Sequence, residues 1–335
     1  MRVLAGDVGG TKTLLAVVEV DGDSVRIGEE ARYSSPEYPG LASVLREFLA
    51  RVRGPVEAAC LGVPGAVLGG ACRTPNLPWY LTEEALRRET GIPGLSLIND
   101  FAAAALGVLG LDPASLATLQ EGVPESRGTR AVIGAGTGLG QAILVWNGRH
   151  YMVNPTEAGH AGFAASGEVQ RSLVAHLEST FFPVSVERIL SGPGLVRIYD
   201  FLVSRGVSTW PEVREAFGRS DPGAVIAEYA LSGRDLACDQ AIDLFVAAYG
   251  AEAGNLALRT LATGGVYVAG GIAPKILARL RGGAFVRAFR DRGRMTPFLE
   301  RIPVHVVLET RSGLIGAALA AARRLTSPDS SVTTE

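Results

Sequence analysis

Three glycine turns, four carboxylates and one imidazole carry the chemistry this sequence is equipped for. The first turn reads Asp7-Val8-Gly9-Gly10-Thr11-Lys12-Thr13. Adjacent Gly9 and Gly10 let the backbone come close to an anion, while Thr11 adds a hydroxyl donor and Lys12 a cation. Asp7, at the end of the preceding strand, is placed to hold a hydrated magnesium ion beside phosphate groups. A P-loop needs GxxxxGK[ST] leading into a helix, and here a strand follows. Alone, the turn also fits a plain hairpin with a surface lysine.

Gly134-Ala135-Gly136-Thr137-Gly138-Leu139-Gly140 repeats the device. Leu139 stands where a dinucleotide-binding GxGxxG needs its third glycine, and again a strand follows, so that reading fails on spacing and context. Two strand–turn–strand units, each with a threonine among glycines, point instead to two hairpins gripping one polyphosphate. Gly9, Gly10, Thr11 and Lys12 would act from one side, Gly136, Thr137 and Gly138 from the other. A third turn, Val268-Ala269-Gly270-Gly271-Ile272-Ala273-Pro274, lies between a buried strand and a helix. Gly270 and Gly271 leave room for a flat ring against the backbone, and an ordinary strand-to-helix turn fits as well.

These turns need elements to hold them. The pattern predicts strands over 2–6 and 13–20 around the first turn, followed by a hairpin at Asp21-Gly22-Asp23. Apolar residues at Leu41, Val44, Leu45, Phe48, Leu49 and Val52 have helical spacing and predict a helix over 41–53. A buried strand over 56–63, a short helix over 82–90 capped by Thr82, a strand over 95–98 and an alanine-rich helix over 101–109 complete a first α/β region. Asn99-Asp100 falls where that last strand meets its helix, either projecting from the sheet end or capping the helix.

A loop rich in Pro, Ser and Gly is expected over 112–130. Strands over 130–133 and 141–146 flank the second turn, and 169–250 reads as mostly helical. A strand over 265–269 leads to the third turn, and a helix over 274–280 is expected to hold Pro274 in its first turn. A strand over 304–308 and an apolar helix over 313–325 follow, the helix packing back on the first region. The chain thus divides into a small α/β domain (1–110 plus 302–325), a larger α+β domain (111–301) and a polar tail (326–335).

Composition narrows the partners. A length of 335 residues favours two domains, and 47% apolar with 20% charged residues is ordinary for a globular enzyme. The net charge of −2, with arginines interspersed among acids, gives no footing for a nucleic-acid or anionic-membrane partner. Cys60, Cys72 and Cys238 form no CxxC pair, so reduced thiols in a cytoplasmic chain are expected. No targeting segment and no membrane span is expected.

In their order, DVGGTKT, GAGTGLG and VAGGIA resemble the two phosphate loops and the adenosine loop of the actin-like sugar-kinase superfamily. LINDFAAAALG, EAGHAGF and ERILSGPGL resemble the bacterial ATP-dependent glucokinase family, over essentially the whole chain to Leu325. That resemblance implies an α/β fold of two ribonuclease-H-like (actin-like ATPase) domains with a cleft between them. It implies ATP and Mg2+ as cofactors and transfer of the ATP γ-phosphoryl group to the 6-hydroxyl of D-glucose. By the same resemblance Asp100 is the general base and Asn99 bonds a neighbouring hydroxyl. Glu157, His160 and Glu187 hold further sugar hydroxyls, and Asn76, in TPNLPW, is an additional sugar contact.

Lys12-Thr13 is closer to the related repressor/open-reading-frame/kinase group. That group carries zinc cysteines shortly after its Gly-His, and none follows Gly159-His160 here. A broader hexokinase acting on mannose, fructose or glucosamine is the alternative, followed by a sugar-responsive ATPase or regulator on the same scaffold. A homodimer is expected. Sugar is expected to close the cleft about hinges near 109–113 and 302–304.

Overall fold

The chain is described by a computed structural model over residues 1–75 and 77–326; Asn76 and all of the expected tail beyond Thr326 lie outside the described residues. Internal contacts divide it into two compact units. One takes Met1–Pro113, Met152–Pro155 and the segment from Glu309, the other Ala114–Tyr151 and Thr156–Leu308.

The first unit opens with the antiparallel strands β1 (Arg2–Val8), β2 (Lys12–Asp21) and β3 (Ser24–Ser34). The hairpin between β2 and β3 turns at Gly22, whose φ of 58° suits a residue without a side chain. After α1 (Leu41–Leu49), β4 (Ala58–Val63) joins β1 in parallel. The short strands β5 (Ala71–Arg73) and β6 (Tyr80–Thr82) form a separate ribbon. In α2 (Glu83–Thr90), the Thr82 hydroxyl accepts the Ala85 N–H at 3.2 Å, the cap its sequence foretold. Then β7 (Leu95–Asn99) joins β4 in parallel and runs directly into α3 (Asp100–Gly107). The sheet order is β3-β2-β1-β4-β7.

The second unit repeats this opening. After β8 (Leu116–Gln120), β9 (Arg130–Ala135) pairs antiparallel with β10 (Leu139–Trp146), and β11 (Tyr151–Thr156) follows. Five helices come next: α4 (Gly167–Glu178), α5 (Gly192–Ser204), α6 (Pro211–Phe217), α7 (Pro222–Leu231) and α8 (Leu236–Thr260). The parallel partner of β9 is β12 (Gly265–Ala269), as β4 is of β1. The helices α9 (Leu277–Arg281), α10 (Ala284–Arg290) and α11 (Thr296–Glu300) precede β13 (Val304–Val307), which lies between β12 and β8. Glycines let α10 press on α8: a Cβ on Gly250 would lie 2.1 Å from the Phe285 carbonyl oxygen, and one on Gly254 2.5 Å from that of Phe289.

The last helix, α12 (Ser312–Thr326), returns to the first unit, as its apolar sequence required. Leu314, Ala317, Ala318 and Ala321 cluster with Val3, Ala5, Ala16, Val18, Ala58 and Cys60 on one face of the sheet. Leu4, Leu15, Ala59, Leu61 and Val63 meet α1 on the other, so β4 is buried at all six positions. The alanines and glycine of α3 have a steric purpose. A Cβ on Gly107 would lie 1.9 Å from the Ser312 carbonyl oxygen, and one on Gly316 1.7 Å from that of Ala103. Only small residues allow such backbone approach.

Several expectations need correction. The stretch over 112–130 is not all loop: Leu116–Gln120 forms β8, drawn into the sheet by pairing with β13. The return crossing does not lie at 302–304, because β13 stays in the second sheet and the division falls after Leu308. Pro274 does not open a helix; the chain turns over 271–276 and α9 begins at Leu277. The Ile272 carbonyl accepts the Lys275 and Ile276 N–H groups at 3.0 and 3.2 Å, so the chain turns at Pro274 without forming a continuous helix from it. Cys60, Cys72 and Cys238 are buried and unbridged. No helix among the described residues is long and apolar enough to cross a membrane.

Candidate active site

Asp7 is the next-to-last residue of β1, on the α12 side of the sheet. A Cβ on Gly313, in the first turn of α12, would lie 3.2 Å from its carboxylate. Burial pushes the Asp7 carboxyl above its ordinary range, and Lys12 pulls the other way. The turn beyond it closes with the Gly9 N–H donating to the Lys12 carbonyl at 2.8 Å. Ser35, fully buried, fixes this turn from beneath. Its hydroxyl donates to the Gly9 carbonyl at 2.8 Å and its N–H to the Thr11 carbonyl at 3.1 Å. The Thr13 hydroxyl, 2.9 Å from Ser35 Oγ, is thereby left as the donor of that pair. Thr11 and Lys12 stay exposed. Nothing in the sequence marks Ser35 for this task.

Asn99 ends β7 and caps α3. Its Oδ1 accepts the Phe101 and Ala102 N–H groups, both at 3.0 Å, so of the two readings open at Asn99-Asp100 its side chain takes the cap. Its Nδ2 donates at 3.1 Å to the Gly65 carbonyl and to Asp100 Oδ1. Asp100 Oδ1 also accepts the Phe101 N–H at 2.7 Å. Gly62 on β4 is the register partner of Asp7, and a Cβ there would lie 3.5 Å from the Asp100 Cα. Asp7 and Asp100 therefore flank Gly62 at the carboxyl ends of parallel strands, where α/β sheets bind ligands.

In the second unit the Gly136–Gly138 turn is tied on three sides. The Gly136 N–H donates to the Gly138 carbonyl at 2.8 Å, and the Gly192 N–H to the Gly136 carbonyl at 2.8 Å. The Leu139 N–H donates to Glu187 Oε2 at 2.9 Å. Gly270, at φ 81°, lies so close to this turn that a Cβ would come within 2.5 Å of the Ala135 carbonyl oxygen. By contrast, a Cβ on Gly136 or Gly271 would meet nothing within 4 Å. The fold needs glycine at position 270. At 136 and 271 the missing side chain leaves open space.

Glu157 and His160 bracket a short 3-10 turn, Ala158–His160. His160 Nε2 and Glu157 Oε2 are 3.9 Å apart with side chains 65% and 73% exposed, too solvated for their mutual attraction to matter much. This segment is joined to the one bearing Glu187 by the Val186 N–H to Ala161 carbonyl bond at 2.9 Å and the Phe163 N–H to Val184 carbonyl bond at 3.0 Å. The structure thus brings Glu157, His160 and Glu187 onto bonded segments of one unit. Asp7, Asn99 and Asp100 belong to the other unit.

A hairpin with a glycine turn, extended by a parallel strand and built twice, defines the two-domain actin-like ATPase class to which sugar kinases belong. A solved glucokinase from an Antarctic psychrotroph shares this fold with a TM-score of 0.86 at 29% identity, covering 96% of this chain and 99% of that one. The family profile described as Glucokinase matches residues 4–324. A glucokinase of Trichormus variabilis is 45% identical over 339 residues, spanning 96% of this chain and 99% of its own. One from Synechocystis sp. is 41% identical over 349 residues, spanning 96% and 98%. The chain belongs to the glucokinase family.

Proposed function

We propose that this protein is a glucokinase that transfers the γ-phosphoryl group of ATP to the 6-hydroxyl of D-glucose, giving glucose 6-phosphate and ADP. The observation that carries the chemistry is the placement of Asp7 and Asp100 on either side of Gly62. Asp100 takes the proton of the 6-hydroxyl as that oxygen attacks the γ-phosphorus. The new O–P bond forms while the bond from the γ-phosphorus to its bridging oxygen breaks, and ADP leaves. Asn99 steadies the base through its Nδ2 bond to Asp100 Oδ1 while its own Oδ1 caps α3.

Glu157, His160 and Glu187 hold the remaining hydroxyls, since carboxylates accept two hydrogen bonds at once and imidazole does either. Gly9, Gly10, Thr11 and Lys12 meet the phosphates from one turn and Gly136, Thr137 and Gly138 from the other. Gly271, whose side-chain position is open, leaves room for the adenine ring, while Gly270 is needed where the backbone packs against Ala135.

Among the described residues no group of three or more His, Cys, Asp or Glu gathers to hold a metal. A magnesium ion carried on ATP needs only one or two carboxylates and keeps several waters. Asp7, half-buried and with the charge of Lys12 favouring its ionised form, fits that role through water. The ion would neutralise charge on the phosphate oxygens.

The test is turnover with magnesium and ATP across glucose, mannose, fructose and glucosamine, with the phosphorylated product identified by mass spectrometry. Glucose is expected to give the highest kcat/KM. If no hexose accelerates ADP release, the reading fails.

A further inference from the structure

One buried tyrosine takes no part in the chemistry above. Tyr249 of α8 is fully buried, with Phe245 and Phe285 edge-on to its ring at 5.8 Å. Its hydroxyl reaches the ends of two strands. It accepts the Ala135 N–H at 3.0 Å and lies 3.4 Å from the Ile133 carbonyl oxygen and 3.5 Å from that of Ala269. The parallel ladder of β9 and β12 runs up to the pair Gly134 and Ala269. The hydroxyl therefore sits where the next ladder bond, Ala135 N–H to Ala269 carbonyl, would form.

Beyond that point each strand enters a glycine turn, Gly136–Gly138 on one side and Gly270–Gly271 on the other. Ala135 is held on its far side too, its carbonyl accepting the Ile272 N–H at 3.3 Å. Burial pushes the Tyr249 phenol well above its ordinary range, so it keeps its hydrogen and serves as donor and acceptor together.

We propose that Tyr249 is a positioning residue for the nucleotide: its hydroxyl, inserted between β9 and β12, sets the spacing of the two turns that hold ATP. The proposal rests on the reading of those turns given above and not on the identity of the sugar. Without the hydroxyl the Ala135 N–H is buried and unpaired. The nearest repair is a direct bond to Ala269, which zips the strands one step further and draws the turns together. Glu157 and His160 make no bond to that junction, and Glu187 meets only the far end of the Gly136–Gly138 turn, at the Leu139 N–H, so glucose should be affected far less than ATP.

The test compares Tyr249→Phe, Phe285→Leu and Gly136→Ala by steady-state kinetics and thermal melting. Tyr249→Phe keeps the ring and is expected to raise the ATP KM about tenfold while the glucose KM stays within about twofold. Phe285→Leu disturbs the same packing with the hydroxyl intact, and should lower Tm without separating the two KM values. An ATP KM unmoved in Tyr249→Phe but raised in Gly136→Ala overturns the positioning role alone. If neither variant moves it, the nucleotide reading of the turns fails and the proposal with it. Equal rises in both KM values for Tyr249→Phe mean general loosening and also overturn it. Hydrogen exchange on the unaltered protein gives an independent check: the Ala135 amide should be strongly protected, and exchange as fast as that of exposed Thr137 would contradict the bond.

Discussion

Glu187 braces the turn that contains Gly138: its Oε2 accepts the Leu139 N–H at 2.9 Å, and a Cβ on Gly138 would come within 2.5 Å of the same oxygen. One carboxylate proposed for the sugar thus also shapes a turn proposed for the phosphates. Glu187→Ala should therefore raise the KM of both glucose and ATP, by roughly 10–100-fold for a lost hydrogen bond to a charged group. Glu187→Gln can keep its carbonyl oxygen on Leu139 and should weaken glucose more than ATP. Glu157→Gln, solvent-exposed and unattached to either turn, should weaken glucose alone. Separate titrations of each substrate check this, and an ATP KM unchanged in Glu187→Ala would remove the bracing role.

The glycines of the third turn divide by what a methyl group would meet. Gly270→Ala must hold alanine at φ 81° against the Ala135 carbonyl, and should cost about 1–3 kcal/mol from the backbone conformation alone. Gly271→Ala meets nothing within 4 Å and should change stability by less than about 0.5 kcal/mol. Its effect should fall on the nucleotide, with the ATP KM raised about tenfold, equivalent to 1.4 kcal/mol. Chemical denaturation and kinetics on the two variants separate these outcomes. A Gly271→Ala enzyme with normal ATP affinity would argue against a ring seated there.

Asp7 makes stability depend on pH in a direction set by burial. Its folded pKa is raised, so the folded state favours the protonated carboxyl. The stability this contributes is fully present below the unfolded value of about 4 and is lost as pH rises through the folded pKa. Asp7→Asn removes that loss. The ligand-free variant should match the parent near pH 4 and melt increasingly above it as pH rises to neutrality, while losing kinase activity. Melting curves across that range provide the check, and a variant less stable than the parent at pH 7 would contradict it.

The sequence made the local form of the site legible where the residues are consecutive. Asp7 through Thr13, the Gly134–Gly140 turn and the Thr82 cap are local patterns, and local bonding decides their form. What stayed hidden depends on partners far along the chain. Ser35 lies more than twenty residues from the turn it supports, and Tyr249 reaches Ala135 across 114 positions. The strand β8 was masked by a polar, Pro- and Gly-rich neighbourhood. It forms because β13 offers it an edge and because Gln120 Nε2 donates to the Leu299 and Ile302 carbonyls at 2.7 and 2.6 Å. Pro274 misled because it lies in local turns over 271–276, and the α-helix begins only at Leu277.

The most direct test of the account is ADP release measured with and without glucose, for the unaltered protein and for Asp100→Asn. Asparagine keeps an oxygen for the Phe101 N–H, so folding and ATP KM should be little changed. The unaltered protein should release ADP slowly until glucose is added, and then rapidly with one glucose 6-phosphate formed per ADP. In Asp100→Asn the glucose-stimulated rate should fall by about 10²–10⁴-fold, the range for a positioned general base. A variant within about threefold of the parent, or ADP release indifferent to glucose in the parent, would contradict the assignment of Asp100 as the base of a glucose-phosphorylating enzyme.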